Sequence, residues 1–345
     1  MFCRTAFGFA ALAAASASIA ADGYAKALEI RWGGAPISDT DFDNLKFYSQ
    51  HSAAAYCNIR VPNGHVITCG NMACPLVARN RPTVVATVVG ALTGVGAYVA
   101  IDYVRMEIVV SIRGSNNIRN YITDLVFPWS DCPFTSQCKL HIGFAQGWNE
   151  IKASVGRAIA VSRRGNPRFT VVFTGHSLGG AVATIGAAYL RSGGLPVNLY
   201  TYGAPRVGNE RFASWFSNGI QGRQWRVTHE DDPVPRLPPI LAGYRHISPE
   251  YWLTGGNGGN TYKTDYTVSD VRVCEGAASI GCNAGRDVTD MYAHLYYFGS
   301  TASCGSLPLQ LRDVDGQDGP LPEDISRRLA AWSRRDQESV KNEGI

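Results

Sequence analysis

The segment Phe169-Thr-Val-Val-Phe-Thr-Gly-His-Ser-Leu-Gly-Gly-Ala-Val-Ala-Thr184 constrains this chain more than any other. A β-branched and aromatic run meets a G-x-S-x-G and passes at once into an Ala-rich, helix-forming run. Strand, sharp turn and helix in that order make the context of a nucleophile elbow. Gly175 and Gly179 matter because the serine backbone is strained at such a turn, and side chains flanking it would collide with the neighbouring strand or helix. Ser177 is thereby pushed out above the sheet edge, at a helix N-terminus whose dipole favours a developing oxyanion. In a chain with 37 Gly the motif alone is weak, and an ordinary Gly-rich strand-to-helix turn competes with it. The strand and helix flanks give it weight.

From about Asp41 to Cys304, strand-like runs alternate with helical ones, the pattern of a mostly parallel central sheet flanked by helices, so the fold class is α/β. The clearest strands are Glu107–Ile112, Phe169–Thr174, Val197–Tyr202 and Gln224–Thr228, with helical periodicity in Gly143–Ile159 and Leu178–Leu190. The apolar run Thr83–Ala100 is nearly long enough to span a bilayer. Gly90, Gly94 and Gly96 break it, and it reads as two strands, Thr83–Val89 and Val95–Ile101, around a Gly-rich turn. No transmembrane segment is expected.

A single Arg4, the apolar stretch Ala6–Ala20 and small residues at Ser18, Ala20 and Ala21 read as a secretory signal peptide over 1–20. Residues 21–35 are a possible pro-segment, 36–305 the catalytic domain, and 306–345 a linker and helical tail. The tail carries Ile325, Leu329 and Trp332 at i, i+4 and i+7 among arginines, so it either docks on the domain or lies on a lipid surface, with a solvated tail an equal alternative. A net charge of +4 from interspersed Lys and Arg gives no footprint for nucleic acid. The sequence does not fix the oligomeric state; a monomer is the expectation.

Nine cysteines become eight once Cys3 leaves with the signal peptide, an even count that reads as disulfides in a secreted chain. Eight cysteines allow on the order of 100 pairings. The short spacings Cys69/Cys74, Cys132/Cys138 and Cys274/Cys282 suggest local closures, leaving Cys57 and Cys304 to bracket the domain. Zinc is disfavoured, because the C-x-x-C pairs with nearby histidines that it needs are missing.

Ser177 needs a base, and in this fold the order along the chain is Ser, Asp/Glu, His. Glu230, Asp231 and Asp232 follow the strand Gln224–Thr228, where a triad acid should lie, and spacing does not choose among them. Downstream only His246 and His294 remain. His246, after the Pro-rich loop Pro233–Pro239, looks like a packed structural histidine. His294, on a late loop before the aromatic run Leu295–Phe298, fits better.

Five stretches together resemble the fungal class 3 lipases, a family that also holds feruloyl esterases. They are Val109-Val-Ser-Ile-Arg-Gly-Ser-Asn-Asn-Ile-Arg-Asn-Tyr-Ile, Thr174-Gly-His-Ser-Leu-Gly-Gly-Ala, Thr201-Tyr-Gly-Ala-Pro-Arg-Val-Gly-Asn, Val227-Thr-His-Glu-Asp-Asp-Pro-Val-Pro-Arg-Leu-Pro-Pro and Asp290-Met-Tyr-Ala-His-Leu-Tyr-Tyr-Phe-Gly. The similarity is greatest to Fusarium-type secreted members. It implies an α/β-hydrolase with a helical lid, acting on triacylglycerols at a lipid–water interface without metal or organic cofactor. It selects Asp232 as the triad acid and His294 as the base, and it makes Ser115 and Leu178 the oxyanion hole. It pairs Cys57 with Cys304, Cys69 with Cys74 and Cys132 with Cys138, leaving Cys274 for Cys282.

The expected lid is Ile118–Leu125, whose Ile118, Tyr121, Ile122 and Leu125 fall at i, i+3, i+4 and i+7 on one helix face. Tyr121 stands where similar lipases carry Trp. Two alternatives remain beside the lipase: a feruloyl esterase, disfavoured by the apolar lid face, and an inactive hydrolase fold serving as a surface-binding module, disfavoured by the complete set of triad residues.

Overall fold

Val171-Val-Phe173 is apolar on both faces, which suits a strand covered by helices on both sides. The computed structural model describes residues 37–115, 122, 126–254, 261–301, 303–304 and 321–343. The expected signal peptide and pro-segment, lid residues Ile118, Tyr121 and Leu125, and residues 306–320 of the linker lie outside the described residues.

Eight strands form the main sheet. They are β1 (Thr83–Val89), β2 (Gly96–Asp102), β3 (Glu107–Ile112), β6 (Thr170–His176), β7 (Val197–Tyr202), β9 (Gln224–His229), β11 (Glu250–Leu253) and β12 (Val271–Cys274), side by side in that order. β3, β6, β7, β9 and β11 run parallel, while β1, β2 and β12 are antiparallel to their neighbours. A smaller sheet joins β10 (Tyr244–Arg245), β8 (Gly208–Asn209), β5 (Lys139–His141) and β4 (Trp129–Asp131). The Thr83–Ile101 run is the antiparallel β1–β2 hairpin, as its glycines imply, and no helix among the described residues is long and apolar enough to cross a membrane.

The period of two along β6 and β7 divides the core. Val171, Phe173, Val197 and Leu199 face α3 (Ile142–Gly165) and α4 (Leu178–Ser192), meeting Phe144, Trp148, Ile151, Val182 and Ile185. Val172, Tyr200 and Tyr202 face α1 (Asp39–Asn58) and its Leu45, Tyr48 and Ala55. The sequence reading did not foresee α1, because this helix buries polar residues. Ser52 Oγ meets Thr174 Oγ1 at 2.7 Å and His51 Nδ1 meets the Tyr98 hydroxyl at 2.7 Å, so polar residues interrupt the apolar positions of its core face.

Four disulfides join Cys57 to Cys304, Cys69 to Cys74, Cys132 to Cys138 and Cys274 to Cys282. Cys57–Cys304 closes 247 residues, worth about 5 kcal/mol in the chain-entropy account. The tail forms α6 (Glu323–Glu343) and packs on the domain. Its Asp336 is buried against Arg206 at 3.1 Å and accepts the Ile240 and Leu241 amides at 2.7 and 3.1 Å.

Candidate active site

Ser177 sits between β6 and α4 with φ 57° and ψ −131°, the strained conformation a sharp strand-to-helix turn imposes. The surrounding backbone leaves no room for side chains. A Cβ at Gly179 would stand 2.1 Å from the Ile112 carbonyl oxygen, and one at Gly175 would stand 2.4 Å from the Gly179 backbone. The loop after β3 also runs beside it, since a Cβ at Gly114 would lie 2.7 Å from the His176 carbonyl oxygen and 3.2 Å from Ser177 Cβ. Ser115 is the next residue along this loop, and Leu178 begins α4 directly after Ser177.

The loop after β9 carries the three acids, and the structure separates them. Asp232 is fully buried; its Oδ1 accepts the Val234 amide at 2.8 Å, and its Oδ2 accepts His294 Nδ1 at 2.8 Å and the Tyr297 hydroxyl at 2.5 Å. Burial and the Asp232 charge hold the Tyr297 phenol protonated well above its ordinary range, which keeps it a donor. Asp231 turns outward to Arg286 at 2.7 Å. Glu230 marks the bend, with φ 36°, and its carbonyl accepts from Trp252 Nε1 and Asn283 Nδ2.

The two candidate histidines are likewise told apart. His246 is 2.6 Å from the Pro235 carbonyl oxygen, and burial beside Arg226 and Arg206 pushes it well below its usual range. His294 lies in a short turn, Ala293–Leu295, buried and joined to Asp232. Gly203, at φ 58°, gives this pair its space, because a Cβ there would stand 2.9 Å from His294 Cε1 and 3.0 Å from Asp232 Oδ2. His294 Nε2 and Ser177 Oγ are both buried, and each lacks a hydrogen-bond partner among the described residues.

Ile122 is the expected lid residue that is described. It is fully buried, sharing a cluster with Val234, Leu237, Met291, Leu295, Ile325 and Leu329. Burial of this kind is worth about 1.5–3 kcal/mol for an aliphatic side chain. Three contributors to the site were not singled out in the sequence: Tyr297, His176 and Tyr56. Tyr297 stands three residues beyond His294, and His176 is the variable position before the nucleophile; Tyr56 adjoins Cys57. Proximity to a motif or a bridge was the available signal.

A serine on a strained strand-to-helix turn, with an Asp–His pair arriving from later loops of a parallel sheet, is the architecture of the ester-cleaving α/β-hydrolases. The chain belongs to the class 3 lipase family. The family model for lipase (class 3) matches residues 109–242. The chain is 46% identical over 332 residues to secreted mono- and diacylglycerol lipase 1 of Fusarium solani, covering 96% of each. It is 34% identical over 269 residues to secreted mono- and diacylglycerol lipase A of Penicillium cyclopium, covering 76% of this chain and 86% of that one. Its fold is similar to the solved mono- and diacylglycerol lipase from Aspergillus oryzae, with TM-score 0.71 at 32% identity, covering 78% of this chain and 100% of that one. A solved triacylglycerol lipase, whose catalytic centre is described as a serine protease triad, gives TM-score 0.66 at 32% identity, covering 78% of this chain and 99% of that one.

Proposed function

We propose that this chain is a secreted acylglycerol hydrolase that works at a lipid–water interface through Ser177, His294 and Asp232. The carrying observation is the Asp232–His294 pair together with a Ser177 Oγ and a His294 Nε2 that are both buried and engaged by no described group. Ser177 Oγ attacks the ester carbonyl and its proton passes to His294 Nε2. Asp232 fixes the tautomer that leaves Nε2 free to accept and supports the imidazolium that forms. The amides of Ser115 and Leu178, with the Ser115 hydroxyl, hold the oxyanion; each such donor is worth about 3–4 kcal/mol in the transition state. His294 then protonates the leaving alcohol, and water cleaves the acyl-enzyme by the same route. No metal or organic cofactor takes part.

The motifs favour triacylglycerols as substrate. A second reading, partial acylglycerols, is favoured by the names of the relatives reported above, three of which are mono- and diacylglycerol lipases. The word secreted in those names supports export, as the leading apolar stretch does. The burial of Ile122 supports a lid over Ile118–Leu125 that closes in water and opens when lipid can take its apolar face. The test is the rate on matched mono-, di- and triacylglycerol emulsions and on a feruloyl ester, with Ser177→Ala as the control. Cleavage of all three acylglycerols supports the proposal, and a fast tri-ester rate selects the first reading. Preference for the feruloyl ester, or activity in Ser177→Ala, would refute it.

A further inference from the structure

The base sits in a three-residue turn rather than on a strand, so something must fix its height above the nucleophile. The structure supplies a chain of hydrogen bonds for this. His176 Nε2 lies 2.7 Å from the His294 carbonyl oxygen, and His176 Nδ1 lies 2.9 Å from the Tyr56 hydroxyl. A carbonyl oxygen cannot donate, so Nε2 carries the proton and donates it. In the neutral ring Nδ1 then accepts, and the Tyr56 hydroxyl is its donor. Tautomer and polarity of the whole chain, Tyr56 to His176 to the His294 carbonyl, follow from chemistry alone.

We propose that Tyr56 and His176 are positioning residues for the reaction: His176 holds the main chain of the base at a fixed height beside the nucleophile, and Tyr56 holds His176. This rests on the Ser177–His294–Asp232 reading. His176 immediately precedes Ser177, so its bond registers the base directly against the nucleophile. Tyr56 also reaches the other half of the site, because a Cβ at Gly114, beside Ser115, would stand 2.4 Å from the Tyr56 hydroxyl. The next residue, Cys57, is bridged to Cys304, ten residues beyond His294. The last turn of α1 is thus joined to the base-bearing loop twice, once covalently and once through His176.

The chain works only while His176 is neutral, for two reasons. A protonated Nδ1 would lose the Tyr56 donor, and its charge would oppose the imidazolium of His294, whose ring is 4.5 Å away. Burial and the neighbouring His294 hold His176 well below the usual histidine range. The titratable groups facing it are Tyr56 from α1, on which Arg113 also acts, and His294 and Tyr297 from the late loop, with Asp232 beyond them.

The experiment uses full-length His176→Leu, His176→Gln and Tyr56→Phe with a soluble short-chain ester below its solubility limit. The readouts are kcat, KM, the pH profile and the melting temperature, with rates normalised to sites titrated by a phosphonate. Misplacement of a reacting group by about 1 Å costs up to about 100-fold. His176→Leu is therefore expected to lose about 10- to 100-fold in kcat with KM within about twofold. His176→Gln, whose amide N–H can reach the same carbonyl, should recover most of the loss. Tyr56→Phe, which removes one oxygen, should lower kcat severalfold and move the acid limb of the profile upward, since losing the donor makes His176 easier to protonate. That movement should be absent when His176→Gln is added. A purely structural role would lower the melting temperature and leave kcat per site and the acid limb unchanged, which would overturn the proposal. If His176→Leu does not fold, Tyr56→Phe alone decides by the same two readouts. Failure of the underlying triad reading is distinguishable, because it would show as activity in Ser177→Ala.

Discussion

Replacing Asp336 by alanine should loosen α6 from the domain at a cost that the structure allows one to work out. The Asp336 and Arg206 side chains are 4% and 2% exposed, so neither charge is compensated by water. Removing one partner of such a buried pair typically costs about 3–5 kcal/mol, chiefly because the other is left charged and unpaired. Arg206 Nη1 keeps the Arg236 and Pro238 carbonyls at 2.7 and 2.8 Å, which places the cost near the lower end, about 3 kcal/mol. The Ile240 and Leu241 amides lose their acceptor in the same step. For a domain of this size about 2–3 °C of melting temperature is lost per kcal/mol, so calorimetry should read a fall of about 6–9 °C. Limited proteolysis should meanwhile release the tail faster than in the parent. Arg206→Met should cost a similar amount. The double variant should cost clearly less than the sum, since no charge is then stranded. A fall of under about 1 °C, or simple additivity, would refute the claim that this pair fastens α6.

Three further outcomes are expected. Asp232→Asn should lower kcat by about 10³–10⁴-fold, since the wrong histidine tautomer is then held, whereas Asp231→Asn loses only a surface pair with Arg286 and should stay within about threefold; steady-state kinetics at equal melting temperature decide, and the reverse order would reassign the acid. Stability should fall steeply below about pH 6.5. His51 is pushed down to about 3 by burial, and His176 and His246 also lie well below their usual range, so the unfolded chain binds protons that the folded chain refuses. Each such histidine removes about 1.4 kcal/mol per pH unit, present in full above the unfolded value and lost as pH drops beneath it; urea midpoints from pH 7 to 5 should follow this slope, and His51→Gln should flatten it. Ile122→Asp should weaken the rise in activity when a partly soluble ester passes its solubility limit; an unchanged rise on emulsions would remove Ile122 from any lipid-operated cover.

The sequence announced those parts of the fold whose physics is local. The elbow around Ser177 was legible because its strand, glycines and helix lie within sixteen residues and each obeys a steric rule. The parallel sheet was legible from β-branched runs such as Val171-Val-Phe173. α1 was not, since His51 and Ser52 face the core as polar groups bonded to Tyr98 and Thr174 and hide the periodicity. Spacing alone left Glu230, Asp231 and Asp232 open, because which carboxylate turns inward depends on Val234, Tyr297 and His294, two of them more than sixty residues away. The tail helix left docking or lipid binding on one side and a solvated tail on the other equally open. The buried Asp336 that pins it to Arg206 is a pairing across 130 residues that no local pattern encodes.

The most direct test of the central claim is covalent capture of the nucleophile. A p-nitrophenyl alkylphosphonate mixed with the full-length protein in detergent should release one equivalent of p-nitrophenol per chain, with activity lost in proportion. Peptide mass mapping should then place the phosphonyl group on Ser177, and Asp232→Asn should slow the capture by a factor comparable to its loss in kcat. Label on another residue, or complete loss of activity with Ser177 unmodified, would contradict the account.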